Sequence, residues 1–242
     1  MSSVTKITLH HLNASRSDRI FWLLEELQVP YNVRVYFRLP SRFAPPELKK
    51  VSPFGKAPVL QLDGETLTES GYIVHRLFQE FGKKASGSLD TESNDSVFWS
   101  HFSEGSLMIA FQAWAVTNMS AAAFISGQAG GLDESERAGV AKYRSFLVDD
   151  YLGKQCKTLL DQVEKYLAEH PGKYFSGTDK PGQGDFMMFF PINSLFAGSR
   201  TDAGFNPGPA TKKWWEMVMA RPAAKKAMER LQAEEEGAKS KI

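Results

Sequence analysis

Apolar and polar residues alternate from Lys6 to His10, with Ile7 and Leu9 on one side, the period of a half-buried strand. A polar stretch, Asn13 to Asp18, follows. Ile20, Leu23, Leu24 and Leu27 then recur at helical spacing until Pro30, which predicts a helix from about Ser17 to Gln28. Alternation returns from Tyr31 to Phe37 as a second strand, and Pro45 and Pro46 introduce a short helix from Glu47 to Val51. The stretch SPFGKAP, Ser52 to Pro58, is a turn signal. Beyond it, Val59 to Leu62 and Glu65 to Leu67 read as strands joined by Asp63-Gly64, a favoured hairpin dipeptide. Gly71 to Phe81 is helical again through Ile73, Val74, Leu77 and Phe81. The order β-α-β-α-β-β-α predicts an open α/β domain over residues 1–84, with a parallel first pair of strands and an antiparallel hairpin.

Residues 85–93 are small, polar and acidic, the composition of a linker. From Asn94 to Leu231 only helical patterning recurs, as in Tyr151, Leu152, Cys156, Leu159, Leu160, Val163 and Leu167 on one face of a long helix, so residues 94–231 are expected to form an all-helical second domain. Residues 232–242 are a charged tail expected to fray.

The 242 residues suit two modest domains. Charge refines the picture. The whole chain carries +1, with no field for nucleic acid, but residues 1–84 hold twelve basic against eight acidic side chains, which suits a small anionic ligand. No apolar run is long enough to cross a bilayer and the start, Met1 to Lys6, has no leader pattern, so the expectation is a cytoplasmic protein without a transmembrane segment. Cys156 is the single cysteine, which excludes an intrachain disulfide and a cysteine zinc site. The histidines are scattered, and the adjacent His10 and His11 point to opposite faces of a strand, so no metal site is expected.

Three short segments carry candidate chemistry. Ser15 to Arg19 lies between the first strand and first helix, where unpaired N–H groups suit an anion; alternatively Ser15 caps the helix and Asp18 completes a capping box. Pro58, before the third strand, suits a cis bond that exposes the backbone of Ala57 for pairing with an extended peptide, or else an ordinary proline turn. Glu69-Ser70-Gly71 opens the third helix; Ser70 N–H and hydroxyl suit a carboxylate and Glu69 an ammonium, the two charges of an α-amino acid head, and simple capping is the alternative.

Taken together, these segments resemble the cytosolic glutathione transferases over nearly the whole chain. SRSDRIFWLLEELQVPY, PPELKKVSPFGKAPVL and LTESGYIVHRL are similar to the thioredoxin-like half of that family, YFSGTDKPGQGDF to its buried helix-cap motif, and KKWWEMVMARPAAKKAM to its C-terminal signature. The N-terminal motifs are most similar to a fungal and bacterial subgroup typified by yeast glutathione transferase I. The resemblance implies a thioredoxin-like α/β domain plus an all-α domain, a homodimer, and glutathione as cosubstrate without a metal. The γ-glutamyl head would lie on Glu69 and Ser70, the cysteinyl backbone on Ala57 beside Pro58, and the glycine carboxylate near Lys56, with the basic stretch Arg38 to Lys50 nearby. With no family-type tyrosine in the first strand, it implies a serine-type enzyme that holds the thiolate through Ser15, with Ser17 as the fallback, and attacks hydrophobic electrophiles, with hydroperoxide reduction as a side activity. The electrophile pocket would involve His11, Met108, Phe111 and Trp114. Two other readings stay open: a glutathione-binding regulatory or ligand-carrying protein with little catalysis, and a cysteine-type thiol reductase, which the absence of cysteine from positions 14 to 18 disfavours.

The chain departs from the family pattern at the cap motif. Gly182-Gln183-Gly184-Asp185 lacks the hydroxyl at its first position, so Asp185 would reach back to Gly182 unreciprocated. On sequence alone, Gly182→Ser is expected to raise the melting temperature, as a thermal melt would show.

Overall fold

The computed structural model describes residues 5–85, 87–197, 200–201 and 203–240. The expectations for Met1 to Val4, for Ser86 in the linker and for residues 241–242 of the tail lie outside them. Four strands form one mixed sheet in the order β2-β1-β3-β4. Strand β1 (Ile7–Leu12) is central, parallel to β2 (Asn32–Tyr36) and antiparallel to β3 (Val59–Leu62), which turns back as β4 (Glu65–Leu67). Pairing of Leu12 with Tyr36 carries β1 two residues past the alternating stretch.

Helix α1 (Asp18–Leu27) follows β1, and all of its residues but the first are buried, Arg19, Glu25 and Glu26 among them. Three helices enclose it: α3 (Ser70–Phe81), α8 (Gln183–Phe196) and α10 (Pro222–Lys239). The Trp22 ring centre lies 4.3 Å from that of Phe186 and 5.2 Å from that of Phe189, so α1 belongs to the cores of both domains. The short α2 (Pro46–Lys49) lies between β2 and β3.

The second domain starts with a rod in which α4 (Asn94–Phe102) continues through a π-helical turn, Ser103–Leu107, into α5 (Met108–Ile125). Helix α6 (Glu134–Arg144) likewise runs through a π segment, Ser145–Leu152, into α7 (Gly153–Glu169). After α8 come α9 (Pro209–Ala220) and α10. The rod corrects one expectation. Asn94–Ile125 spans 32 residues and includes a window of mean hydropathy 1.3, so by length and composition it qualifies as a membrane span. It packs against α6, α8 and the π segment of the α6–α7 rod, while Ile109 and Val116 stay exposed.

The tail is a second correction. Helix α10 continues to Lys239, past Leu231 where fraying is expected, because ion pairs dock it on the first domain. Glu26 Oε2 accepts from Arg221 Nη2 at 2.8 Å, Glu25 pairs with Lys226 and Arg230, and the Arg230 guanidinium lies 3.6 Å from the Tyr31 ring centre. Glu235 reaches His11 at 2.9 Å. Of the charges that read as a solvated tail, Glu235 joins this interdomain contact, which Arg221, Lys226 and Arg230 begin.

The glycine cap is the third. Gly184 N–H donates to Ser96 Oγ on α4 at 2.9 Å, so a neighbouring helix supplies the hydroxyl that position 182 lacks. Asp185, wholly buried, accepts from Gly182 N–H at 2.9 Å, Phe175 N–H at 2.8 Å and Trp214 Nε1 at 3.0 Å. A Cβ at position 182 would stand 2.3 Å from Ser96 Oγ. The expectation for Gly182→Ser therefore reverses: overpacking costs about 1 to 3 kcal/mol, a fall of several degrees in a chain this size. Ser96→Ala alone should also melt lower through its lost cap. The double variant should lose less than the two singles summed, because the new hydroxyl then takes the space of the old; additive losses in thermal melts would refute the exchange.

Candidate functional site

A cleft of about 820 Å³ opens between the domains. The loop from β1 to α1 forms its floor, the segments after β2 and before β3 one side, and the α4–α5 rod the other. Ser15 lies on the floor, 5% exposed. Its Oγ accepts from Ser17 N–H at 3.3 Å and shares a hydrogen bond of 2.8 Å with Ser17 Oγ. Ser17 is fully buried behind it, so Ser15 alone of the pair lines the cleft. No capping box forms there: the helix begins at Asp18, and the Ser15 oxygen is used one turn early by Ser17.

The other proposed contacts gather in a small hollow beside the cleft, where Lys56, Ala57 and Pro58 meet Glu69 and Ser70. The Ala57-Pro58 bond is cis. Glu69 adopts φ 63°, a left-handed value that a non-glycine residue holds at a cost of about 1 to 3 kcal/mol. Ser70 begins α3, and its Oγ accepts from Arg19 Nη1 at 2.9 Å. Arg19 is fully buried and also pairs with Glu104, in the π-helical turn of the rod, which takes a second guanidinium from Arg16 with Nε–Oε2 2.9 Å. Burial pushes the Glu104 carboxyl up, but Arg19 and Arg16 outweigh it and hold it below the usual carboxylate range.

Of the residues expected around an electrophile, the structure brings only Met108 to the cleft. Phe111 is fully buried, its ring centre 5.4 Å from that of Phe205, and Trp114 meets the same ring edge-on at 5.0 Å. His11 points the other way. Because β1 continues to Leu12, its ring faces the α1 side, 5.3 Å from Phe21 and bonded to Glu235. The cleft instead carries residues that periodicity did not single out, Glu104 and Arg200 above all, with Phe190 between the domains. One signal for this was present: an arginine at position 19, on the apolar face of a predicted helix, requires an acid or an anion beside it. Cys156 lies inside α7 with its thiol pushed up to about 11 by burial, a packing residue away from this cleft. Among the described residues, no group of three or more His, Cys, Asp or Glu is placed to hold a metal ion.

Residues 9–85 match the family model for the glutathione S-transferase N-terminal domain. The chain is 36% identical over 232 residues to glutathione S-transferase 3 of Schizosaccharomyces pombe, covering 93% of this chain and 88% of that protein. It is 29% identical to glutathione S-transferase 1 of Saccharomyces cerevisiae, covering 96% and 97%. Among solved structures, a glutathione transferase family member from Pseudomonas fluorescens with two glutathione bound superposes with a TM-score of 0.64 at 22% identity, covering 91% of each chain.

Asp18 gives this region a pH dependence. Half-buried at the start of α1, its carboxyl is pushed up to about 6 by burial, against the pull of His11 and Arg19. A raised folded value means that the folded state holds the proton more tightly. Its stabilising contribution is complete below the ordinary value near 4 and is lost as pH rises through 6. Asp18→Asn should therefore gain on the parent with rising pH, with a more favourable difference in melting temperature at pH 8 than at pH 4.

Proposed function

The chain belongs to the glutathione S-transferase family, and from that premise we propose that it is a serine-type glutathione transferase in which Ser15 holds the glutathione thiolate for attack on electrophilic, largely hydrophobic compounds. The observation that carries the reading is Ser15 itself, a hydroxyl on the cleft floor at the entry to α1 whose side-chain partner, Ser17, is fully buried.

Glutathione would lie extended across the hollow and the cleft floor. Its γ-glutamyl carboxylate meets the Ser70 N–H at the start of α3. Because a lone pair of the Ser70 hydroxyl already accepts from Arg19, the hydroxyl proton is left for that carboxylate. Glu69 stands beside it for the ammonium. The cysteinyl backbone pairs with Ala57, next to Pro58, and Lys56 takes the glycine carboxylate. This places the sulfur over Ser15.

The chemistry required is modest. Lowering a thiol from about 8.5 by two units takes about 2.7 kcal/mol of preferential stabilisation of the anion. A hydroxyl hydrogen bond to a charged acceptor is worth about 1.5 to 3 kcal/mol, and the end of α1 adds about 0.3 to 1. Ser15 keeps its proton throughout. The sulfur forms the new bond to carbon as the leaving group, a halide for an aromatic halide, departs with the electrons of the broken bond. In the side activity the sulfur attacks a hydroperoxide oxygen, the O–O bond breaks to release the alcohol, and a second glutathione converts the resulting sulfenic acid to the disulfide and water. Burial of Cys156 supports this reading over a cysteine-type reductase.

A homodimer in the cytoplasm completes the proposal. The exposed apolar side chains Tyr72, Phe98 and Ile109, on α3 and the α4–α5 rod, support it as apolar surface that a partner could cover.

Titration of the bound thiolate by its ultraviolet absorbance tests the assignment. Ser15→Ala should raise the thiol pKa by one to two units and slow conjugation of an aromatic halide about ten- to a hundredfold near neutral pH. Ser17→Ala should do less. An unchanged pKa in Ser15→Ala rules Ser15 out, and retained glutathione binding without conjugation or hydroperoxide reduction in the parent would favour a regulatory protein.

A further inference from the structure

The cleft is more cationic than glutathione requires. Arg16, Arg38, Arg42, Lys49, Lys56 and Arg200 line it, against Glu69 and Glu104, an excess of four positive charges. Glutathione brings a net charge of −1, or −2 as the thiolate, so an excess of at least two remains once it is bound. Lys49 and Lys56 lie near the arm proposed for its glycine carboxylate, and Arg16 is engaged by Glu104. The surplus therefore falls on the side where a second substrate enters.

Arg200, in the loop after α8, is the most pointed case. Among the described residues, no carboxylate pairs with it. Its Nη1 donates to Ser194 Oγ at 3.0 Å, its Nε is buried without a partner, and its guanidinium lies over the rings of Phe111 and Phe190 at 5.4 and 5.7 Å. Burial and the nearby Arg16 both act against its charge. A desolvated guanidinium on a cleft wall, with no carboxylate partner among the described residues, is costly unless an anion completes it. Arg38 is similar in kind, its guanidinium donating among the described residues to the carbonyls of Asn13, Ala14 and Arg42, while Arg42 reaches across to the Met119 sulfur on α5. Between these cations, Met108, Val116 and Phe190 give the wall an apolar strip.

We propose that the second substrate is amphiphilic and anionic, a carbon electrophile whose apolar body lies along Phe190 and Met108 and whose carboxylate seats on Arg200, with Arg42 at the rim. This rests on the glutathione transferase reading and narrows its substrate class. For an α,β-unsaturated ketone, the thiolate sulfur bonds to the terminal alkene carbon, the π pair moves to the α-carbon, and that carbon takes a proton from water. Nothing leaves, and no oxidant or reductant is needed.

Ethacrynic acid and its methyl ester form a matched pair, because the carboxylate lies across the ring from the enone and masking it little alters the intrinsic reaction with thiols. The intact protein should favour the acid over the ester in kcat/KM by about tenfold or more beyond the uncatalysed ratio. Arg200→Gln should lower the value for the acid about ten- to a hundredfold, the range for a hydrogen bond to a charged group, and change the ester by less than threefold. Affinity of the preformed glutathione conjugates of acid and ester, by calorimetry, gives a readout that needs no turnover. If neither electrophile reacts but the acid conjugate binds more tightly and loses that advantage in Arg200→Gln, the transferase reading fails and the anion site stands. Equal affinity for the two conjugates overturns the site. Should Arg200→Gln fail to fold, Arg42→Gln, at an exposed side chain, should reduce the acid's advantage about threefold and more strongly at low salt; no change there overturns the proposal.

Discussion

A guanidinium fully withdrawn from water is the constraint around which the cleft is assembled. Arg19 belongs to the buried face of α1, so its charge must be met from within the protein. Glu104 meets it, and Glu104 reaches α1 from the second domain, in the π-helical turn where the rod widens by one residue per turn. The same guanidinium donates to Ser70 at the start of α3. One buried cation thus fixes the relative positions of the first helix, whose entry carries Ser15, the third helix, whose start carries Ser70, and the rod that walls the other side of the cleft. Arg16, one turn earlier, shares Glu104 and ties down the loop that presents Ser15.

A second buried acidic side chain, its carboxyl pushed up to about 7 by burial, organises the far side of the helical domain by different means. Asp185 is surrounded by N–H donors from Gly182, Phe175 and the Trp214 indole rather than by a cation. The two glycines of the segment let it approach α4 closely: a Cβ at Gly184 would fall 2.7 Å from the Ser96 carbonyl oxygen. Ser96 then uses its hydroxyl where the usual first residue of the motif would have used its own. Loss of a side chain at one helix and gain of a hydroxyl on its neighbour are a single packing solution. It can be recognised only when both are seen together.

Periodicity was a sound guide to where the elements of the first domain begin and end. The strands, α1 and α3 follow their alternation or helical spacing to within two residues, and the hairpin at Asp63-Gly64 is where its dipeptide indicates. The spacing could not reveal partnerships between distant segments. Glu235 reads as part of a solvated charge run, yet it is the partner of His11; Phe111 and Trp114 read as pocket aromatics, yet Phe205 takes up both. The site divides in the same way. Ser15, the stretch Lys56 to Pro58, and Glu69-Ser70 were recognisable as candidates because each sits at a turn with its own local signature, and the fold brings them to one cleft and the hollow beside it. Arg200 was not, because its surroundings come from Phe111, Phe190 and Ser194, and no short motif contains them.

The docking of α10 on α1 also orders events during synthesis. Helix α1 is made within the first thirty residues, but Glu25, Glu26 and Tyr31 find their cationic partners only at Arg221, Lys226 and Arg230. While the ribosome is still translating, the first domain therefore has an acidic, partly apolar helix face with no cover. A chain stopped anywhere before residue 221 leaves that face open and its carboxylates without a cation, held by Trp22 and Tyr31. Helix α10 thus closes over a helix made about two hundred residues before it.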